Sequence, residues 1–77
     1  MVTALIMVKA GAGHATEILD EVRTIDGIAE AHVVAGDYDL IVEFQAQEVY
    51  DVLETASTRV QGIDGVTDTR TYVSLED

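Results

Sequence analysis

Residues 4–8, Ala-Leu-Ile-Met-Val, form a continuous apolar run of strand length that ends at Lys9 and the breaker Gly11-Ala12-Gly13. This predicts a first strand. Ala15, Ile18, Leu19 and Val22 then fall at i, i+3, i+4 and i+7, with Glu17, Asp20, Glu21 and Arg23 opposite, which is the spacing of an amphipathic helix. Asp26-Gly27 reads as a turn, and residues 28–34 as a second strand alternating weakly through Glu30 and His32. Residues 40–44, Leu-Ile-Val-Glu-Phe, predict a third strand, rich in β-branched and aromatic side chains. Val49, Val52, Leu53, Ala56 and Val60 form the clearest helical stripe in the chain, and Gly62 stands where a helix end favours glycine. Residues 66–75 predict a fourth strand, with Thr67, Thr69, Thr71 and Val73 on one face and Asp68, Arg70, Tyr72 and Ser74 on the other.

The stretch Ile25-Asp26-Gly27-Ile28 returns 38 residues later as Ile63-Asp64-Gly65-Val66, so the chain reads as two similar halves, each strand-helix-strand. That order predicts an α+β, ferredoxin-like split βαβ fold (βαββαβ): a four-stranded antiparallel sheet with two helices on one face. Helices cover only one face of such a sheet. Residues 5–8 and 40–42 are nevertheless apolar on both sides, which a water-facing surface does not favour. With no third layer in the sequence, the expected cover is the same face of a second copy, giving a two-fold dimer packed sheet on sheet.

Between the second and third strands lies Ala35-Gly36-Asp37-Tyr38-Asp39, expected to be a tight hairpin connection in which Gly36 can take φ > 0. Turn chemistry alone would select these residues. An aromatic ring between two carboxylates, beside a glycine that admits another molecule to the backbone, also suits a small polar ligand. Both readings stand on the loop by itself.

At 77 residues the expectation is a single domain over residues 1–77, burying only ~60–65% of its unfolded surface. Without cysteine there is no disulfide, thiolate metal site or cysteine nucleophile, so self-association is the remaining way to bury more. Fifteen acids face four bases, for a formal net charge of −11. Lys9, Arg23, Arg59 and Arg70 are too few and scattered to displace counterions from a phosphate backbone, which argues against nucleic acid and, likewise, against anionic membranes. The acids are dispersed and form no block, as in a heavily hydrated surface suited to a salt-rich cytoplasm. The N-terminus lacks the basic region and cleavage site of a signal peptide and no run is long enough to span a bilayer, so a soluble cytoplasmic protein is expected.

Gly36-Asp37-Tyr38-Asp39-Leu40, followed by Ile63-Asp64-Gly65-Val66 and then Thr69-Arg70-Thr71, resembles the effector-binding (RAM) domain of the Lrp/AsnC, or feast/famine, transcriptional regulators. The resemblance spans essentially the whole chain. It lacks the family's usual N-terminal helix-turn-helix and so resembles the stand-alone members that carry only the ligand domain, and DNA binding is not carried over from the resemblance. The resemblance implies a homo-oligomer of sheet-packed dimers, often octameric, that binds free amino acids between dimers and can co-assemble with full-length Lrp/AsnC regulators. It implies a ligand site made of Gly36, Asp37, Tyr38 and Asp39 from one subunit and Thr69 and Thr71 from a neighbour, with no catalytic residue, cofactor or metal. Ala35 departs from the threonine common in the family, which puts one side-chain hydrogen bond in doubt.

The chemistry agrees. An amino acid needs an acceptor such as an aspartate for its ammonium, and backbone N–H groups or hydroxyls for its carboxylate. Thr69 and Thr71 are also what an ordinary strand selects, His14 and His32 lack a second histidine at metal-ligand spacing, and Gly11-Ala12-Gly13 lacks the lysine and spacing of a phosphate loop. Two alternatives share the fold: a small dimeric enzyme, such as a cofactorless monooxygenase or isomerase, and an ACT-like regulatory domain. With no Cys, Asn or Trp, and no His beside a candidate nucleophile, catalysis has little to work with.

Overall fold

In a computed structural model that describes residues 1–75, the elements run β1 (Val2–Ala10), α1 (Ala15–Val22), β2 (Ile28–Val33), β3 (Leu40–Ala46), α2 (Val49–Glu54) with a π-wound continuation (Thr55–Val60), and β4 (Val66–Val73). The sheet order is β2-β3-β1-β4, every neighbouring pair antiparallel, which is the ferredoxin-like arrangement expected. Alternation decides the faces. Ala4, Ile6 and Val8 of β1, Leu40, Val42 and Phe44 of β3, and Ala31 of β2 are buried in one cluster with Ile18 and Val22 of α1 and Val52, Ala56 and Val60 of the second helix. Both helices therefore cover the same side. Leu5, Met7, Ile41 and Tyr72 alternate with the buried set and form the apolar part of the other, open face.

Strand lengths depart from the apolar runs because backbone pairing does not stop where hydrophobicity stops. β1 continues through Lys9, whose register partner is Asp68, and the register slips between Lys9 and Ala10 where β4 carries a bulge. Thr67 thereby leaves the alternation it was expected to share with Thr69 and Thr71, and donates its Oγ1 to the Lys9 carbonyl at 3.2 Å. β4 ends at Val73, short of the expected 75. The Ser74 amide still donates to Thr3 O at 2.8 Å, and Leu75 is 97% exposed.

α1 follows its stripe. The second helix does so only in part: Val52, Ala56 and Val60 are buried, whereas Val49 and Leu53 are 46% and 53% exposed. A row of every fourth residue rotates by about 40° per step on a helix of 3.6 residues per turn. The π-wound turn, closed by Gln61 N donating to Ala56 O at 3.2 Å, winds more slowly and keeps Ala56 and Val60 over the sheet.

The two Ile-Asp-Gly segments are structural equivalents. Ile25 and Ile63 are buried, Gly27 and Gly65 have φ of 95° and 97°, and each glycine carbonyl accepts one amide at 2.8 Å, from Gln45 and Gly11 respectively. These are the turns that need glycine. Gly36 does not: its φ is not positive, residues 35–39 bend without forming the expected tight turn, and a Cβ added there meets nothing within 4 Å.

Candidate functional site

The connection from β2 to β3 is fixed at its far end by Asp39. Its amide donates to Val8 O at 2.9 Å, its carbonyl accepts from Val34 N at 2.8 Å, and its Oδ2 accepts from the Ala10 amide at 2.7 Å. The last bond matters for the site. Ala10 lies beyond the register slip, where its amide is served by this carboxylate, so one of the two oxygens offered to a ligand ammonium is already a structural acceptor. Sequence reasoning missed this anchor, because a bond across 29 positions leaves no local signal.

The rest of the loop is open. Ala35, Gly36 and Asp37 are exposed, and the Asp37 carboxylate makes no hydrogen bond or ion pair among the described residues. Tyr38 is half-buried with its ring centroid 5.9 Å from Lys9 Nζ, within reach of a cation–π contact, on the side of the sheet that carries Lys9. An exposed carboxylate, an exposed glycine backbone and an aromatic ring thus sit together at one end of the sheet.

Thr69 and Thr71 lie opposite Val8 and Ile6, on the helix-covered side of the edge strand β4, and both are half-buried. Thr69 Oγ1 accepts from Gln61 Nε2 at 2.7 Å, and its amide donates to Asp68 Oδ1 at 2.9 Å. The structure does not bring these threonines to the loop of the same chain. Leu40, where the loop ends, and Thr69 are the two register partners of Val8, so β1 stands between them and the backbones are about 10 Å apart, two strand spacings.

Surface hollows among the described residues lie elsewhere. One of about 390 Å³ on the open face is lined by Thr3, Leu5, Glu43, Tyr72 and Ser74, one of about 330 Å³ follows the β2 edge beside Arg23, and one of about 150 Å³ adjoins Gln61 and Asp68. The β2 edge is partly closed by Arg23, whose Nη2 donates to Ala31 O at 3.1 Å. Among the described residues there is no cluster of three or more His, Asp or Glu fit to hold a metal, and no helix is long and apolar enough to cross a membrane.

Comparison with known proteins bears on the same stretch. The family model of the Lrp/AsnC ligand binding domain matches residues 3–77. The leucine-responsive regulatory protein of Haemophilus influenzae is 30% identical over 56 residues, 73% of this chain and 34% of that protein, so the chain spans about a third of the length of that relative. Among solved structures, a hypothetical protein of Pyrococcus horikoshii (PHS023) superposes with a TM-score of 0.90 at 27% identity, covering 100% of this chain and 93% of that one. A transcriptional regulator of Neisseria meningitidis, solved as a complex with L-Met, superposes with a TM-score of 0.85 at 18% identity, covering 99% of this chain and 51% of that one, a likeness of fold.

Proposed function

Because the chain belongs to the Lrp/AsnC ligand-binding domain family, we propose that it is a non-catalytic amino-acid-binding module, a single domain over residues 1–77, that works as a homo-oligomer in the cytoplasm. The observation that carries this reading is the separation of the loop from Thr69 and Thr71 by β1. Each half offers the right chemistry, an exposed Asp37 carboxylate and Gly36 backbone in one and two hydroxyls in the other, and neither half alone encloses an amino acid. A site completed by a neighbouring subunit makes binding and assembly thermodynamically linked. The L-Met bound by the Neisseria regulator supports the ligand class.

The open face supports the assembly. Leu5 and Tyr72 are 43% and 57% exposed, with half-buried Met7 and Ile41 beside them, a continuous apolar surface that a second copy covers. Co-assembly with full-length relatives follows if they present the same face and loop. Calorimetric titration with each of the twenty amino acids, with the mass in solution recorded before and after, tests the reading. Binding of at least one, with a shift in mass, is expected; no heat from any amino acid, at protein concentrations where the oligomer is present, defeats it. Turnover of an added small molecule would favour the enzyme alternative.

A further inference from the structure

Of the two candidate threonines on β4, one has its hydroxyl engaged. Thr69 Oγ1 accepts from Gln61 Nε2 at 2.7 Å, while Thr71 Oγ1 has no partner among the described residues. A threonine hydroxyl carries one hydrogen and two lone pairs, and the NH2 group of a glutamine only donates. The Gln61 contact therefore takes a lone pair and leaves the hydrogen unspent, turned away from Gln61. The other donor of Thr69, its backbone amide, is used by Asp68 Oδ1 at 2.9 Å. The hydroxyl hydrogen is thus the donor that Thr69 has left to offer.

Gln61 is exposed, yet its backbone is held on both sides. Val60 before it and Ile63 after it are buried, its amide closes the π-wound turn on Ala56 O at 3.2 Å, and Gly62 lies so near Thr58 O that an added Cβ would come within 2.7 Å. A helix of ordinary pitch would send the same amide to Ser57, the fourth residue back, and point Gln61 in a different direction. Resting on the amino-acid-binding reading above, we infer that Gln61 is a positioning residue: held by the π-wound turn, it fixes the Thr69 hydroxyl as a hydrogen-bond donor and makes the β4 half of the site a receptor for the ligand's carboxylate, not for its ammonium. A hydroxyl that rotates freely offers either a hydrogen or a lone pair, and only the hydrogen attracts a carboxylate. On a chain of formal charge −11, with the Asp68 carboxylate next to Thr69, the wrong choice would add to a repulsion already present. Gln61 removes that choice before the ligand arrives, which lowers the cost of ordering the site on binding. It also divides the labour: the Asp37 side takes the ammonium, the Thr69 side takes the carboxylate, and the ligand enters in one sense.

Calorimetric titration of the full chain tests the inference, with the twenty L-amino acids as probes and, for each one bound, its α-carboxamide, which keeps the ammonium and replaces the carboxylate by a neutral group. The variants are Gln61→Leu, Gln61→Glu, Thr69→Val and the two Gln61 changes in the Thr69→Val background, with circular dichroism confirming that each is folded. Gln61→Leu, which frees the hydroxyl to rotate, is expected to weaken binding about threefold. Gln61→Glu is expected to weaken it at least about tenfold, because a carboxylate only accepts and draws the Thr69 hydrogen to itself. In the Thr69→Val background Gln61→Leu should have no further effect and Gln61→Glu should lose most of its own, since both act through the hydroxyl. The Gln61→Glu loss should also be at least about threefold smaller for the carboxamide. Gln61→Glu binding amino acids as the parent does, or losing as much without the Thr69 hydroxyl as with it, or losing equally with the carboxamide, overturns the role of Gln61 and leaves amino-acid binding standing. A parent that binds none of the twenty overturns both.

Discussion

The amide of Ala10 donates to Asp39 Oδ2 at 2.7 Å, joining the end of the central strand to the end of the candidate ligand loop. The bond makes Asp39 a structural residue whatever else it binds, and it separates the two aspartates of the loop by role. Asp39→Ala strips a half-buried amide of its acceptor and is expected to cost about 1–3 kcal/mol of stability, while Asp39→Asn keeps a carbonyl acceptor and costs less. Urea denaturation of the two variants checks this; an Asp39→Ala chain as stable as the parent would show that the bond holds nothing.

The free carboxylate is Asp37. Asp37→Asn is expected to lower amino-acid affinity by about tenfold to a hundredfold, the loss of a charge-assisted hydrogen bond, with unchanged stability because Asp37 has no partner among the described residues. Thr71→Val should cost binding on the order of 1 kcal/mol. Calorimetry on both variants decides whether loop and strand serve one ligand. If both bind like the parent, the loop is only a connection.

Glycine has opposite meanings at two positions. At Gly27 an added Cβ requires a side chain at φ 95° and comes within 2.5 Å of Phe44 Cε1 and 2.9 Å of Gln45 O, so Gly27→Ala is expected to lose at least about 2 kcal/mol. Gly36→Ala meets open space and should leave the thermal midpoint within a degree or two of the parent, reporting through ligand affinity alone. Thermal melts of the pair discriminate; equal losses would mean that the loop is held more tightly than its exposure implies.

Leu5 stands on the open face, on the central strand, and no helix packs on it. Leu5→Glu should leave the chain folded and abolish sheet-on-sheet association, since a carboxylate there would be covered beside the like charge of Glu43, its register partner. Light scattering is the check, and a Leu5→Glu chain with the parent's mass would place the subunit interface elsewhere.

With a formal charge of −11 on a chain this small, folding confines mutually repelling carboxylates, and added salt screens them. Stability is expected to rise as KCl increases from low concentration. A steady fall over the same range would remove the case for adaptation to a salt-rich interior.

Periodicity along the chain was sufficient for the order of elements, because whether a side chain faces the core is set by a local repeat of about 2 or 3.6 positions. Ile18 and Val22 on α1, Val52, Ala56 and Val60 on the second helix, and the alternating buried residues of β1 and β3 were all legible that way. The internal repeat likewise marked Gly27 and Gly65 as equivalent turns. What was illegible was how far each surface reaches: Val49 and Leu53 carry the helical pattern as well as Val52 does, yet Val52 is buried and these two remain about half exposed.

The candidate site divides the same way. Residue types offered a ligand reading of the loop Gly36, Asp37, Tyr38 and Asp39, and the family resemblance alone singled out Thr69 and Thr71, whose hydroxyls suit a zwitterion's carboxylate. Only the tertiary structure could show that Gly36 needs no left-handed backbone, that Asp39 already serves Ala10, and that β1 separates the loop from the threonines. Those three facts depend on which strands become neighbours and in what register. Hydrogen bonds between residues 29 positions apart are fixed by the packing of the whole sheet, and no stretch of sequence contains them.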